Sequence, residues 1–171
     1  MTSCYTYIDT PLGPVLVQGC EGFVTGLFLP GHKGRPGPGA SWQQSDAPFA
    51  GVRAQLAEYF AGARQQFDVP LRLGGTPFQQ RVWRELLRVP FGGTITYAAL
   101  AKRVGKPAGA RAVGQANGRN PVSIIVPCHR VVGAGGKLTG YAGGTDKKQW
   151  LLTWERRATR EDPGRSQATR E

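Results

Sequence analysis

The sequence changes its pattern at Gly74-Gly75, from short strand-like runs to amphipathic helices. Before this point, residues 5–8, 15–17 and 23–29 form β-type runs separated by Gly/Pro turns, and a helix is predicted after the cap Asp46. After it, Thr76-Pro77-Phe78-Gln79 combines a cap, a proline at the first helical position and a glutamine that completes a capping box. The pattern predicts an α/β protein with units at 1–74 (linker 62–74) and 75–157, and a disordered tail at 158–171.

The second unit is predicted to be mainly helical. Helices are expected from Pro77 to about 90, at 97–103 behind the cap Thr96, at about 108–117, and at about 146–157. The second and third of these are joined by the break at 105–107, an arrangement that resembles a helix-turn-helix. Many helical hairpins share this pattern, so the motif alone does not assign a function.

Basic residues are concentrated in the second unit. Of 22 Lys and Arg, 15 lie in residues 81–160, together with only 3 of the 11 Asp and Glu. A general solubility device would be spread more evenly, so the distribution favours a polyanionic partner, above all nucleic acid. A solvated cationic face is the alternative that charge alone leaves open.

The composition argues against a membrane or secreted protein. No apolar run approaches the roughly 18 residues that cross a bilayer, and the first residues lack the pattern of a secretion signal. Three scattered cysteines are too few for a disulfide framework. A cytoplasmic protein without a membrane partner is therefore expected.

Cys128 is the best candidate for a reactive group. It follows the apolar run 124–126 and precedes His129 in the stretch Pro127-Cys128-His129-Arg130-Val131. The thiolate is the nucleophile, and an ordinary thiol is only a few per cent ionised at neutral pH, so a proton acceptor is needed. If the segment is extended, neighbouring side chains point to opposite faces, and His129 would reach the sulfur through a chain bend or a bridging water. The water is favoured, because Pro127 limits the backbone.

Six motifs occur in one order and together resemble a known family. They are Thr76-Pro77-Phe78-Gln79, Arg111-Ala112-Val113-Gly114, Asn120-Pro121, Pro127-Cys128-His129-Arg130-Val131, Gly140-Tyr141-Ala142-Gly143-Gly144 and Trp150-Leu151-Leu152. The chain resembles the O6-alkylguanine-DNA alkyltransferases, or methylated-DNA–protein-cysteine methyltransferases, densely from about 75 to 155. The resemblance implies a small ribonuclease-H-like N-terminal sheet domain with a helix, and a helical, winged helix-turn-helix C-terminal domain that carries the active site.

The resemblance also implies a reaction and its residues. The alkyl group of O6-alkylguanine, or of O4-alkylthymine, in duplex DNA would pass irreversibly to Cys128, once per molecule and with no cofactor. His129 would be the water-mediated base, oriented by Glu155, with Tyr97 and Asn120 completing the catalytic set. A carboxylate partner fixes the tautomer of an imidazole and stabilises its cation. A surface ion pair with Arg156 or Lys148 is the alternative for Glu155.

Further residues are implied to bind DNA and the damaged base. Arg111 would fill the gap left by a nucleotide flipped out through the minor groove, and small residues around it would let the backbone approach. Ala112, Tyr97, Gly114 and Asn117 complete the implied DNA contacts. Val131, Tyr141, Ala142 and Ser123 are implied to line the pocket, and Arg130 to form an ion pair or bind phosphate. A monomer is implied, with cooperative binding to DNA left open.

Two other kinds of protein and a metal site are disfavoured. A DNA-binding damage sensor of this fold would lack the cysteine, and a regulator that also repairs would carry additional sequence. A cysteine hydrolase would need an oxyanion motif, which is not found. Some relatives hold zinc in the N-terminal domain, but Cys4, Cys20 and His32 fit no standard zinc spacing, so no metal is expected.

Overall fold

The computed structural model describes residues 2–34 and 37–161. Two compact units are found. The first runs to Gly74, where the sequence predicts the boundary, and the second starts at Gly75. The segment Pro121–Ile125 groups with the first unit, although the sequence predicts an unbroken second unit. Its backbone explains this grouping, because Leu27 N–H donates to the Pro121 carbonyl and Ser123 N–H donates to the Leu27 carbonyl.

The first unit is a four-stranded sheet with one α-helix. Strands β1 (Cys4–Ile8), β2 (Val15–Cys20), β3 (Phe23–Phe28) and β4 (Gln43–Gln44) have the order β3-β2-β1-β4. The first three are antiparallel neighbours, and β4 is parallel to β1. Val15, Leu16, Val17 and Leu27 are fully buried and form part of the core with α1 residues such as Leu56.

Helix α1 (Ala50–Phe60) begins later than predicted, after a 3-10 turn at Ala47–Phe49. Asp46 precedes this turn, but its carboxylate caps no backbone N–H. It accepts hydrogen bonds from the hydroxyl of Thr6 and the guanidinium of Arg53 instead. The predicted cap is therefore wrong, because partners distant in sequence take the carboxylate.

The second unit is built from four helices and two short strands. They are α2 (Pro77–Leu86), β5 (Ile95–Thr96), α3 (Tyr97–Arg103), α4 (Ala110–Gly118), β6 (Val131–Val132) and α5 (Thr145–Glu161). The predicted capping box is present at Thr76 and Gln79, and the hydroxyl of Thr96 accepts from Ala99 N–H. Strands β5 and β6 are parallel. The indole N–H of Trp83 donates to the carbonyl of Ala116 at 2.9 Å, which ties α2 to α4.

Several details of the second unit differ from the sequence-based expectation. The apolar pattern of the first helix predicts that Leu87 is buried. It is 48% exposed, because it follows buried Leu86 at the helix end and points about 100° away. The apolar pattern of the last helix predicts that Trp150 and Trp154 face inward. Both are half-buried and stack on each other with ring centroids 6.0 Å apart. Helix α5 continues to Glu161, so the tail predicted at 158–171 begins as helix, and residues 162–171 lie outside the described part.

Among the residues that the structure describes, no helix is both long enough and apolar enough to cross a bilayer.

Candidate active site

Cys128 lies in a tight turn and not at the end of a strand. Residues Cys128–Arg130 form a single 3-10 turn, and Ile124 just before it has a positive φ of 70°. The extended geometry considered for this segment is therefore wrong. In a 3-10 turn, consecutive side chains are about 120° apart, so Cys128 and His129 do not point to opposite faces.

Two asparagines hold this turn through its carbonyl groups. The side-chain amide of Asn120 donates to the Val126 carbonyl at 2.8 Å, and that of Asn117 donates to the Cys128 carbonyl at 3.2 Å. The N–H of Val131 also donates to the Cys128 carbonyl. A carbonyl oxygen has two lone pairs, so the protein already uses both of those on Cys128. This leaves the Val131 carbonyl as the better candidate acceptor for a ligand amine.

The thiol of Cys128 is buried and its ionisation is opposed. Burial raises the pKa of Cys128, and this effect exceeds several that lower it. The lowering effects are hydrogen bonds from Asn120 and from the hydroxyl of Tyr141, and the charge of Lys148. At rest the sulfur therefore carries its proton, so the group that accepts the proton decides when the nucleophile forms.

His129, the next residue in the same turn, has the hydrogen bonding of a proton acceptor. Its Nε2 lies 2.8 Å from Oε2 of Glu155, and both side chains are fully buried. The Nδ1 atom is buried and has no hydrogen-bond partner within the described residues. Burial lowers the pKa of His129 against the effect of Glu155, and the charges of Arg130 and Lys148 lower it further. A neutral ring that donates from Nε2 to Glu155 has its lone pair on Nδ1, which is the form of a general base.

Besides His129, two residues donate hydrogen bonds to the carboxylate of Glu155. Nε and Nη2 of Arg130 donate to its two oxygens at 2.8 and 2.9 Å, and Gly92 N–H donates at 3.3 Å. Burial would raise the pKa of Glu155, but His129 and Arg130 hold it well below its usual range. Glu155 is therefore ionised, and the sequence alternative of a surface carboxylate does not fit its full burial. Of the two roles implied for Arg130, the structure shows the ion pair.

Lys148 is a site residue that sequence reasoning missed. It is fully buried on α5, and its Nζ donates to the Thr139 carbonyl at 3.2 Å. The same Nζ lies 5.8 Å from the ring centre of Tyr97 and 5.9 Å from that of Tyr141. Burial lowers the pKa of Lys148, while a negative charge on Cys128 raises it. The sequence offers one signal for this residue. Lys148 lies on the same buried stripe as Leu151 and Glu155, and lysine is almost never fully buried unless it has a partner.

The two tyrosines predicted for the site both lie near this lysine. Tyr97 and Tyr141 are half-buried, and the Thr139 hydroxyl donates to the hydroxyl of Tyr97 at 3.3 Å. A Cβ added to Gly114 would lie 3.6 Å from the ring of Tyr97, so this small residue of α4 faces that ring. Ala142 is half-buried next to Tyr141, and Val131 is buried in β6. Ser123 is buried and groups with the first unit, so its pocket role stays a prediction.

The start of α4 presents the predicted DNA-binding face. Arg111 and Ala112 are exposed in the first turn of the helix, where the helix dipole disfavours a cation. Asn117 does not share this face. It is 4% exposed, because six residues further along a helix with 3.6 residues per turn a side chain points about 240° away. Its burial gives no support to the predicted DNA contact, which stays a prediction, and the side chain holds the Cys128 turn.

A metal site receives no support from the described residues. Within 2–34 and 37–161, no group of three or more His, Cys, Asp or Glu side chains could hold an ion. Cys4, Cys20 and Cys128 are all free thiols.

Comparisons with known proteins match both units of the chain. The model described as 6-O-methylguanine DNA methyltransferase, ribonuclease-like domain, matches residues 4–73, and that of the DNA binding domain of the same family matches residues 77–157. A methylated-DNA–protein-cysteine methyltransferase of Mycolicibacterium paratuberculosis is 47% identical over 153 residues, covering 90% of this chain and 92% of the relative. The protein of that name from Methanosarcina acetivorans is 48% identical over 152 residues, with 88% and 97% covered.

A solved structure also matches closely. The crystal structure of Mycobacterium tuberculosis OGT in complex with DNA has a TM-score of 0.85 at 47% identity, covering 91% of this chain and 94% of that chain. The sheet unit, the helical unit and the buried Cys128, His129 and Glu155 fit the class of methylated-DNA–protein-cysteine methyltransferases, in which a cysteine of the protein receives a methyl group from DNA. The chain belongs to the 6-O-methylguanine DNA methyltransferase family. The family, fold class and enzyme class predicted from the sequence are thereby confirmed.

Removal of the Lys148 charge tests the electrostatics around the thiol. In Lys148→Met, which keeps the apolar stem, we expect iodoacetamide to label Cys128 about tenfold more slowly at pH 7.5, because the thiolate loses a nearby cation. Labelling is followed by mass spectrometry of the Cys128 peptide, which separates it from Cys4 and Cys20. Lys102→Met, on exposed α3, is the control and should label like the unaltered protein. Equal rates in both variants would contradict the electrostatic role.

Proposed function

We propose that this chain repairs O6-alkylguanine in duplex DNA by moving the alkyl group onto Sγ of Cys128, once per molecule. The observation that carries this proposal is the buried thiol in one tight turn with a buried imidazole, whose Nδ1 has no partner among the described residues. Family membership supplies the substrate class. O4-alkylthymine would be a second substrate, because it carries the same alkyl–oxygen bond. A monomer acting in the cytoplasm fits this role, and cooperative binding to DNA is left open.

The exposed cations of the second unit support binding of the DNA backbone. Lys102, Arg103 and Lys106 lie at the end of α3 and in the connection to α4, and Arg111 and Arg119 lie at the two ends of α4. Phosphate contacts carry no sequence information, which suits a protein that must find damage in any sequence.

Access to the damaged base requires that the nucleotide leave the stack. Cys128 is only 5% exposed, so its sulfur cannot reach a base that stays inside the duplex. Arg111 is exposed at the start of α4 with the small residue Ala112 beside it, so its side chain can enter the minor groove behind the flipped nucleotide. The cation also stands against the helix dipole, so a role in helix stability does not explain it.

The half-buried tyrosines and the chain near them would receive the flipped base. Tyr97 could donate from its hydroxyl to guanine N3, and a backbone N–H near Tyr141 and Ala142 could bind O6. The Val131 carbonyl would accept from the exocyclic amine. These roles are implied by the family. They are supported by the positions of Tyr97 and Tyr141, whose rings both lie near the ammonium group of Lys148.

The chemical step balances with no additional reagent. His129 Nδ1 takes the proton of Cys128 through a bridging water, and Glu155 stabilises the imidazolium at Nε2. The thiolate attacks the alkyl carbon, a carbon–sulfur bond forms, and the carbon–O6 bond breaks with its electron pair on guanine. A proton donated from Tyr97 neutralises the guanine anion. The thioether has no easy hydrolytic route back to the thiol, so the protein is consumed.

The transfer is tested by mass spectrometry of the intact protein after mixing with a duplex that contains O6-methylguanine. We expect one methyl group on the Cys128 peptide, and repaired guanine that never exceeds one equivalent of protein. Cys128→Ala and undamaged DNA should give no methylation, and Cys20→Ala, in the first unit, should react normally. Several repaired bases per protein molecule would refute the single-use mechanism.

The wedge role of Arg111 is tested with two substrates. In Arg111→Ala we expect repair of duplex DNA to slow about thirtyfold, the equivalent of about 2 kcal/mol of unstacking free energy, because the gap in the stack is no longer filled. Reaction with free O6-benzylguanine, which needs no flipping, should be nearly unchanged. Arg157→Ala, an exposed arginine on α5, is the control. An equal loss on both substrates would assign Arg111 to the pocket and not to the duplex.

A further inference from the structure

We propose that Arg130 is a positioning residue that balances the buried charge of Glu155 and thereby keeps His129 neutral until Cys128 gives up its proton. The inference deepens the proposed function, because it rests on His129 being the base of the alkyl transfer.

The contacts of Arg130 are those of a fixed counter-charge. The residue is 6% exposed, and its guanidinium donates to both oxygens of Glu155 at 2.8 and 2.9 Å. The third nitrogen, Nη1, donates to the carbonyl of Val89 at 2.7 Å. Such a two-bond fork holds a carboxylate in one plane, and the guanidinium does not lose its proton in a protein. The orientation of Glu155, and so of the His129 ring, is set by this pair.

The charge balance of the site follows from this geometry. A fully buried carboxylate needs one compensating cation, and two neighbours of Glu155 could supply it: the guanidinium of Arg130 or a protonated ring of His129. Because Arg130 supplies it permanently, a proton on His129 would leave one positive charge in excess. Burial of the ring opposes that charge most strongly, and Lys148, on the same helix as Glu155, opposes it as well.

Ionisation of Cys128 changes this balance. Among the described residues, the charged groups that act on the ring are Glu155, Arg130 and Lys148, and the reaction adds one anion, the thiolate of Cys128, on the neighbouring residue of the same 3-10 turn. Once the thiolate exists, an imidazolium at His129 has a new counter-charge. Arg130 therefore makes protonation of His129 depend on deprotonation of Cys128. A purely structural arginine, which only tethers Val89, would leave the protonation of the ring unchanged.

The test is the titration of the His129 ring, followed by NMR in ring-labelled protein. The chain has two histidines, so His32→Gln assigns the signals. In Arg130→Met we expect the ring to remain protonated at pH 7, where it is neutral in the unaltered protein, because the imidazolium becomes the counter-charge of Glu155. Arg130→Lys keeps the charge and should keep the ring neutral. A neutral ring at pH 7 in a folded Arg130→Met protein would overturn the proposal.

A second pair of variants serves if the buried carboxylate prevents Arg130→Met from folding. In Glu155→Gln the guanidinium remains without its anion, whereas Arg130→Met with Glu155→Gln removes both charges. We expect the ring to titrate at higher pH in the double variant than in Glu155→Gln, and equal midpoints would refute the proposal. Arg64→Met, which breaks an arginine–glutamate pair in the first unit, is the matched control and should leave His129 unchanged. The titration is measured without DNA, so a failure of alkyl transfer does not decide it.

Discussion

The second unit depends on one buried carboxylate. Glu155 is fully buried on α5, and each of its oxygens accepts two hydrogen bonds, one set from Arg130 and Gly92 and the other from His129 and Arg130. A buried charge with a missing partner is strongly destabilising, so these bonds join the 3-10 turn, the turn at Gly92 and α5 into one arrangement. The position of the 3-10 turn is therefore fixed in part by His129 and Arg130, which supply hydrogen bonds to the buried carboxylate of Glu155.

Helix α4 connects this arrangement to the face that is proposed to bind DNA. Its first turn presents Arg111 to solvent, and six residues later Asn117 is buried and bonded to the carbonyl of Cys128. The rise between them is about 9 Å at 1.5 Å per residue. In the proposed complex, the helix that contacts the duplex through Arg111 would therefore also support the turn of Cys128. Contact with DNA and the geometry of the thiol turn would then depend on the same helix.

The sequence predicted the parts of this molecule that local signals determine. The capping box at Thr76 and Gln79 and the cap at Thr96 depend on neighbours within four residues, and both are present. The motif around Cys128 was recognised through its resemblance to a family. The 3-10 turn was missed, because it is held by Asn117 and Asn120 from another element and is not encoded by the apolar run before it.

Long-range partners explain the other differences. Asp46 was expected to cap a helix, but Thr6, 40 residues away, takes its carboxylate. The segment Pro121–Ile125 joins the first unit through backbone bonds to Leu27, which no pattern of side chains announces. Lys148 was detectable in principle, since it shares a stripe with Leu151 and Glu155, but its aromatic neighbours come from other parts of the chain.

In the proposed single-use chemistry, these distant contacts protect the thiol before the substrate binds. A permanently ionised thiol would react with any small electrophile and be lost. Burial keeps Cys128 protonated, and burial together with the charges of Arg130 and Lys148 lowers the pKa of His129. In this proposal, the sulfur loses its proton and attacks only when the alkyl carbon of a bound substrate is present to accept its electron pair.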